Sequence, residues 1–157
     1  MPSKMEPNFA IKPESVAIVD ARDKREILAQ LAALFAKAWD LDGPTVLEYL
    51  EERENLGSTG FGRGVAIPHA RLPGISRPVA ALLKLDHPAE FAAADGLPVE
   101  LVFGLLSPEN SGATHLHALA AISRMMRDES MRDALIDAPD GEAMFGLLTN
   151  VSDRNVA

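Results

Sequence analysis

Histidine is the residue through which this chain can do chemistry near neutral pH: there are four, His69, His87, His115 and His117, and no cysteine. His69 closes the most unusual stretch of the sequence, Gly57–Leu72, which reads GSTGFGRGVAIPHARL. Glycines recur at 57, 60, 62 and 64. Glycine lets a backbone or ligand approach closely, and several so near one another make poor helix and little core. The loop is therefore expected to serve a site, although taken alone the glycines also read as the shaping of a tight turn. A Walker phosphate loop is a poor match. Gly57 and Gly62 have its spacing, but Arg63-Gly64 stand where Lys-Ser/Thr should be, and Val65-Ala66-Ile67 reads as strand rather than helix. The dinucleotide fingerprint fails for the same reason.

An isolated histidine at a strand end is ordinarily satisfied by a backbone carbonyl. His69, however, lies between the glycine loop and the basic residues Arg63 and Arg71, with Phe61, Ile67, Leu72 and Ile75 around it. An imidazole in an apolar rim is a contact point for another protein. His115 and His117 form an H-x-H pair, which on a strand would share a face and could hold a metal. On a helix they diverge. Helical projection sets His115 with Leu119, Ile122 and Met126, toward the body of the domain. It sets His117 with Ala121, Arg124 and Asp128, toward solvent. His115 also falls in the first turn of its helix, where backbone N–H groups and the dipole favour an anion. His87, beside Pro88, reads as a solvated loop residue.

The elements that must position these residues follow from periodicity. Ser15–Asp20 reads as a short strand. Asp23 with Glu26 resembles a capping pair for a helix with its stripe on Ile27, Leu31, Leu34, Phe35 and Ala38. Leu41–Pro44 is a turn, and Pro44 suits the start of a second helix with Val46, Leu47 and Leu50 on its apolar face. That helix ends in a polar run, Glu51–Asn55, which delivers Arg53 to the root of the glycine loop. Val65–Ile67 is a strand that Pro68 stops, with His69 at its exit. Arg71–Pro78 reads as a connection, Val79–Asp86 as a strand and His87–Pro98 as mainly loop. Val99–Leu106 is the clearest strand. Ser107–Gly112 leads into a helix to about Arg127, carried on Leu116, Leu119, Ala120, Ser123 and Met126. Shorter helices are expected at Ser130–Ala138 and Asp140–Leu148. Interleaved strands and helices predict a single α/β domain, a mixed sheet flanked by helices, with sites at strand ends. The expected organisation is a lead-in over 1–14, the domain over 15–149 and a frayed tail over 150–157.

Fifteen Lys and Arg against 23 Asp and Glu give a net charge of −8. This argues against nucleic-acid binding and favours a partner with a basic patch. The absence of cysteine removes thiolate chemistry and fits a reducing cytosol. No apolar h-region stands near the start, and no apolar run approaches the ~20 residues that span a bilayer. A cytoplasmic protein without membrane insertion is the expectation.

Leu56–Leu72 (L-G-S-T-G-F-G-R-G-V-A-I-P-H-A-R-L), preceded by E-R-E at 52–54, resembles the signature of the enzyme IIA domains of the fructose/mannitol class (type 2). These belong to the phosphoenolpyruvate-dependent phosphotransferase system. F-A-A-A-D-G-L-P-V-E-L-V-F-G-L-L (Phe91–Leu106) and T-H-L-H-A-L (Thr114–Leu119) follow in order, and the resemblance runs from about Ile18 to Leu148. It implies a phosphohistidine relay rather than a classical turnover enzyme. His69 is then the phospho-acceptor (tele-phosphohistidine), and His115 the second histidine, which contacts the phosphoryl group. Arg53 supports the site, and Ser58 and Thr59 border it in the loop. Ala70-Arg71 depart from the Gly-Lys of many relatives, keeping the charge. No cofactor and no metal is implied. The implied partners are a histidine-containing phosphocarrier (HPr- or NPr-like) and either regulatory targets or a IIB component. With no IIB domain or membrane segment beside the motif, the chain is most similar to the stand-alone nitrogen-regulatory IIA proteins. The competing readings are the IIA of a fructose/mannitol-type transporter and an interaction module that signals by docking. A metal hydrolase using His69, His115 and His117 is a third.

Overall fold

The computed structural model describes residues 8–156. A 3-10 turn (Pro13–Ser15) leads into β1 (Val16–Val19), α1 (Lys24–Trp39) and α2 (Gly43–Asn55). There follow β2 (Gly60–Gly62), β3 (Val65–Ala66), β4 (His69–Leu72), β5 (Val79–Ala89) and β6 (Val99–Pro108). The helices α3 (Ala113–Arg127), α4 (Glu129–Asp137) and α5 (Gly141–Val156) close the chain. The six strands form one mixed sheet, in the order β1-β5-β6-β3-β2, with β4 also on β6. β1 is parallel to β5, β5 is antiparallel to β6, and β3 and β4 both run parallel to β6.

β6 is buried on both faces, which explains its near-continuous apolar sequence. Leu101, Phe103 and Leu105 belong to the cluster shared with α3–α5, whereas Val102 and Leu106 belong to that of α1 and α2. Between them Gly104 lets α1 press onto the sheet. A Cβ there would stand 2.8 Å from Leu31 Cδ2 and 2.9 Å from Phe35 Cε2. The α1 stripe holds as read, with Ile27, Leu31, Phe35 and Ala38 buried and Leu34 partly so, and Leu28 and Ala32 widen it. Asp23 caps α1 through Glu26 N, and Glu26 reaches back to Arg22 N.

Four expectations change. Pro68 interrupts the strand but does not end it. Val65 pairs with Leu101, Ala66 with Val102 and His69 with Leu105, all in one register. The Pro68 carbonyl still accepts from Leu105 N at 3.0 Å, so only the missing proline N–H is lost from the ladder. His69 therefore opens β4, and Arg71 and Leu72 are strand rather than connection. β5 runs to Ala89, past a register shift, so His87 and Pro88 lie in an exposed strand end and not in a loop. The buried face of α3 is His115, Ala118, Ile122 and Met126, while Leu116 is 62% exposed. α5 extends well beyond Leu148. In the lead-in, Phe9 is buried edge-on against Phe103 and Ala10 bridges to Val79, because an apolar N-terminal segment can extend the sheet. Residues 1–7 of the lead-in, and Ala157, lie outside the described residues.

Candidate functional site

The last turn of α2 sets one side of the site. Asp42 caps the helix start by accepting from Thr45 N and Oγ1. Thirteen residues bring the far end to Arg53 and Glu54, which diverge on consecutive positions. Arg53, half-buried, donates from Nη1 to the Gly57 carbonyl at 2.8 Å. Glu54 turns inward and is 8% exposed. Its Oε1 accepts from Lys24 Nζ at 2.8 Å and from Thr59 N at 3.1 Å, and its Oε2 accepts from Thr59 Oγ1.

The glycine loop is braced against residues 91–95. Ser58 Oγ donates to the Phe91 carbonyl and accepts from Gly60 N, both at 3.0 Å. Arg63 N donates to Asp95 Oδ2 at 2.8 Å, and Arg63 itself takes φ 58°, flanked by Gly62 and Gly64 at φ 102° and 83°. At Gly60 an added Cβ would meet Ala93 Cα at 2.6 Å, so this glycine is needed for close approach. Ser58 and Thr59 thus spend their hydroxyls inside the loop and its anchor. The Thr59 carbonyl then accepts from Ile67 N at 2.9 Å, joining the loop to the strand before His69.

His69 is half-buried at the first position of β4. Its Nδ1 lies 2.8 Å from the Ile67 carbonyl. A carbonyl only accepts, so the ring proton sits on Nδ1 and the lone pair is on Nε2. His115, 4% exposed in the first turn of α3, stands 5.6 Å from His69 between ring centroids, tilted by 49°. Its Nδ1 is 2.6 Å from Oγ of the buried Ser107, near the end of β6. Arg71, on β4 opposite Ser107 in register, supplies positive charge to both rings. Burial pushes the His69 pKa below its usual value, helped by Arg53 and Arg71 and opposed by the Ile67 carbonyl and Glu54. Burial, then Arg71 and His69, push His115 down to about 4. Both imidazoles are neutral at pH 7.

His115 facing the domain and His117 facing solvent agree with the helical projection, so the H-x-H pair forms no shared ligand set. His87 is exposed and 3.9 Å from Asp20. The apolar rim read around His69 is corrected: Ile67 and Leu72 are core, and Phe61 and Ile75 pack against opposite clusters. Among the described residues the exposed large apolar side chains are Leu56 (85%), Leu97 (52%) and Leu116 (62%), of which Leu56 adjoins Gly57 and Leu116 adjoins His115 in sequence. Thr114 N and His115 N are turned onto the Ser111 and Gly112 carbonyls, so fewer first-turn amides are free than the sequence promised. Ser107 carried no local signal, and Glu54 only its place at the end of the E-R-E run. One ends an apolar strand and the other sits in a polar helix end, and only the tertiary contacts bring them to the site.

The family model described as phosphoenolpyruvate-dependent sugar phosphotransferase system, EIIA 2, matches residues 10–151. The nitrogen regulatory protein of Pseudomonas aeruginosa is 43% identical over 140 residues, covering 88% of this chain and 91% of that protein. The crystal structure of nitrogen regulatory protein IIA-Ntr from Neisseria meningitidis is similar with a TM-score of 0.81 at 33% identity, over 88% of this chain and 95% of that one. Enzyme IIA mannitol of Escherichia coli, in its complex with phosphorylated enzyme IIB mannitol, shares the fold. It has a TM-score of 0.74 at 18% identity, over 90% of this chain and 99% of that one. A family match over residues 10–151, with a relative 43% identical across most of both chains, leads to one conclusion: the chain belongs to the EIIA 2 family of the phosphoenolpyruvate-dependent sugar phosphotransferase system.

Proposed function

We propose that this protein is a regulatory phosphoryl carrier of the IIA kind, which accepts a phosphoryl group on His69 Nε2 from a histidine-containing phosphocarrier. The observation that carries the reading is the Nδ1 contact of His69 with the Ile67 carbonyl, which leaves Nε2 unprotonated beside a second neutral imidazole. The Nε2 lone pair attacks the phosphorus of the partner's phosphohistidine. The P–N bond to the partner breaks, and its electron pair returns to that ring. His69 keeps its Nδ1 proton throughout, and its bond to Ile67 strengthens as the ring takes on positive charge. With Ser107 donating to His115 Nδ1, His115 carries its own proton on Nε2 and offers it to a phosphoryl oxygen. Arg53 and Arg71 add positive charge where the phosphoryl group arrives. In this reading Ser58 and Thr59 shape the border of the site through the loop.

Identity to nitrogen regulatory proteins across most of both chains supports a regulatory duty. Among the described residues no helix is long and apolar enough to cross a membrane, which goes with a cytoplasmic carrier meeting a mobile donor. A sugar-linked duty is the second reading, favoured by the likeness to the mannitol protein held with phosphorylated IIB. Intact-mass analysis after incubation with phosphoenolpyruvate, enzyme I and a phosphocarrier is the test. One acid-labile phosphoryl group on the wild type and none on His69→Ala is the expected result. Normal phosphorylation of His69→Ala would overturn the site. Onward transfer to a IIB domain would favour the second reading.

A further inference from the structure

The transfer step makes no use of the buried carboxylate of Glu54. Burying a carboxylate is costly unless it is paired and hydrogen-bonded, and an apolar residue would close the end of α2 without that cost. The partners of Glu54 show what it holds. Lys24 Nζ, at the start of α1, neutralises it at 2.8 Å and also lies 4.8 Å from the centroid of the Phe91 ring. Its other contacts both go to Thr59, through N and Oγ1. From Thr59 the hydrogen bonds continue. The Thr59 carbonyl takes Ile67 N at 2.9 Å, and the Ile67 carbonyl takes His69 Nδ1 at 2.8 Å. The neighbouring Arg53 ties the loop at a second point, the Gly57 carbonyl.

We propose that Glu54 is a positioning residue for His69: by clamping Thr59 from below it fixes the peptide segment that orients Ile67 and, through the Ile67 carbonyl, the ring that must present Nε2. The proposal rests on the reading of His69 as the acceptor, but the orientation of the ring can be measured without any donor. The loop has four glycines and little apolar content of its own, so the clamp supplies rigidity that packing does not. Substrate-side geometry is sensitive to such supports even when they never touch the reacting atoms.

The experiment uses the full chain labelled with 15N, in which the ring-nitrogen shifts of His69 report its tautomer. The wild type is expected in the Nδ1–H form. Glu54→Ala is expected to move His69 toward the Nε2–H form and to slow phosphorylation by a charged phosphocarrier on the order of ten- to a hundredfold. Glu54→Gln keeps an oxygen for Thr59 N and a polar partner for Thr59 Oγ1, and is expected to restore both tautomer and rate. If Glu54→Ala does not fold, Glu54→Asp, with its carboxylate drawn back by one methylene, replaces it under the same expectation. A folded Ala or Asp variant with the wild-type tautomer and rate would overturn the proposal, as would a Gln variant no better than Ala. A wild type that accepts no phosphoryl group would overturn the carrier reading, and the tautomer would still decide this one.

Discussion

The Ile67 carbonyl and the Ser107 hydroxyl each face an Nδ1, but they differ in what they permit. A carbonyl can only accept, so it fixes the His69 tautomer. A hydroxyl donates or accepts, so Ser107 lets His115 adopt the form the site needs. Ser107→Ala is expected to lower the transfer rate while leaving acceptance on His69 possible, and His115→Ala to lower it further; initial rates with a charged phosphocarrier check both. Because burial lowers the His69 pKa, its neutral form, the one that would attack in the proposed transfer, persists below the ordinary histidine range. The rate is expected to stay level from pH 8 through about 6.5 and to fall only as acid reaches the lowered pKa. Stability follows the same sign. The unfolded chain protonates His115 near 6.5, whereas the folded chain resists until about 4. Between these values the unfolded state binds more protons, so stability is full above 6.5 and is lost as pH falls. From pH 7 to pH 5 this single group costs about 2 kcal/mol. Urea unfolding at the two pH values, repeated on His115→Asn, measures it; an equal loss in the variant would refute the assignment.

At the scale of elements, α2 separates stability from chemistry along its length. Its cap, Asp42, is a helix away from Arg53 and Glu54. Asp42→Ala is expected to lower the urea midpoint through loss of the cap and to leave the transfer rate unchanged. Gly60→Ala should do the reverse of a silent change. Its Cβ would press on backbone at Ala93, costing about 1–3 kcal/mol, and would disturb the Ser58–Phe91 brace enough to slow transfer. Denaturant midpoints and phosphorylation rates on the same two proteins separate the cases.

The whole molecule is a sheet between two helical layers, with the site at the end of β6 where β4 and α3 meet. The core on the α1 side depends on Gly104, where the helix leaves no room for a methyl group. Gly104→Ala is expected to destabilise by about 1–3 kcal/mol through overpacking, with acceptance on His69 retained below the unfolding transition. The net charge of −8 acts at the same scale. Association with a basic phosphocarrier is expected to slow as ionic strength rises, read from transfer rates at subsaturating donor, whereas a flat salt dependence would argue against electrostatic steering.

The helices and β6 were legible in the sequence because amphipathic stripes, caps and continuous apolar runs are local properties. So were the directions of two histidines, since helical projection alone separates the inward His115 from the exposed His117. β4 was not legible. Four residues after a proline have no pattern of their own, and only pairing with β6 makes them strand. The lead-in over 1–14 had no clear period, because Phe9 finds its partner, Phe103, far along the chain. The contacts of Glu54, which the sequence offered only as the end of the E-R-E run, and of Ser107 were not legible for the same reason, since they depend on Thr59, Lys24 and His115 arriving from other elements. The sequence by itself determined which side chains can do chemistry and which helices carry them. Which nitrogen of His69 bears the proton, what holds the loop, and how near the two imidazoles stand were decided only by the tertiary structure, because hydrogen bonds and burial between distant segments exist only once the chain has folded.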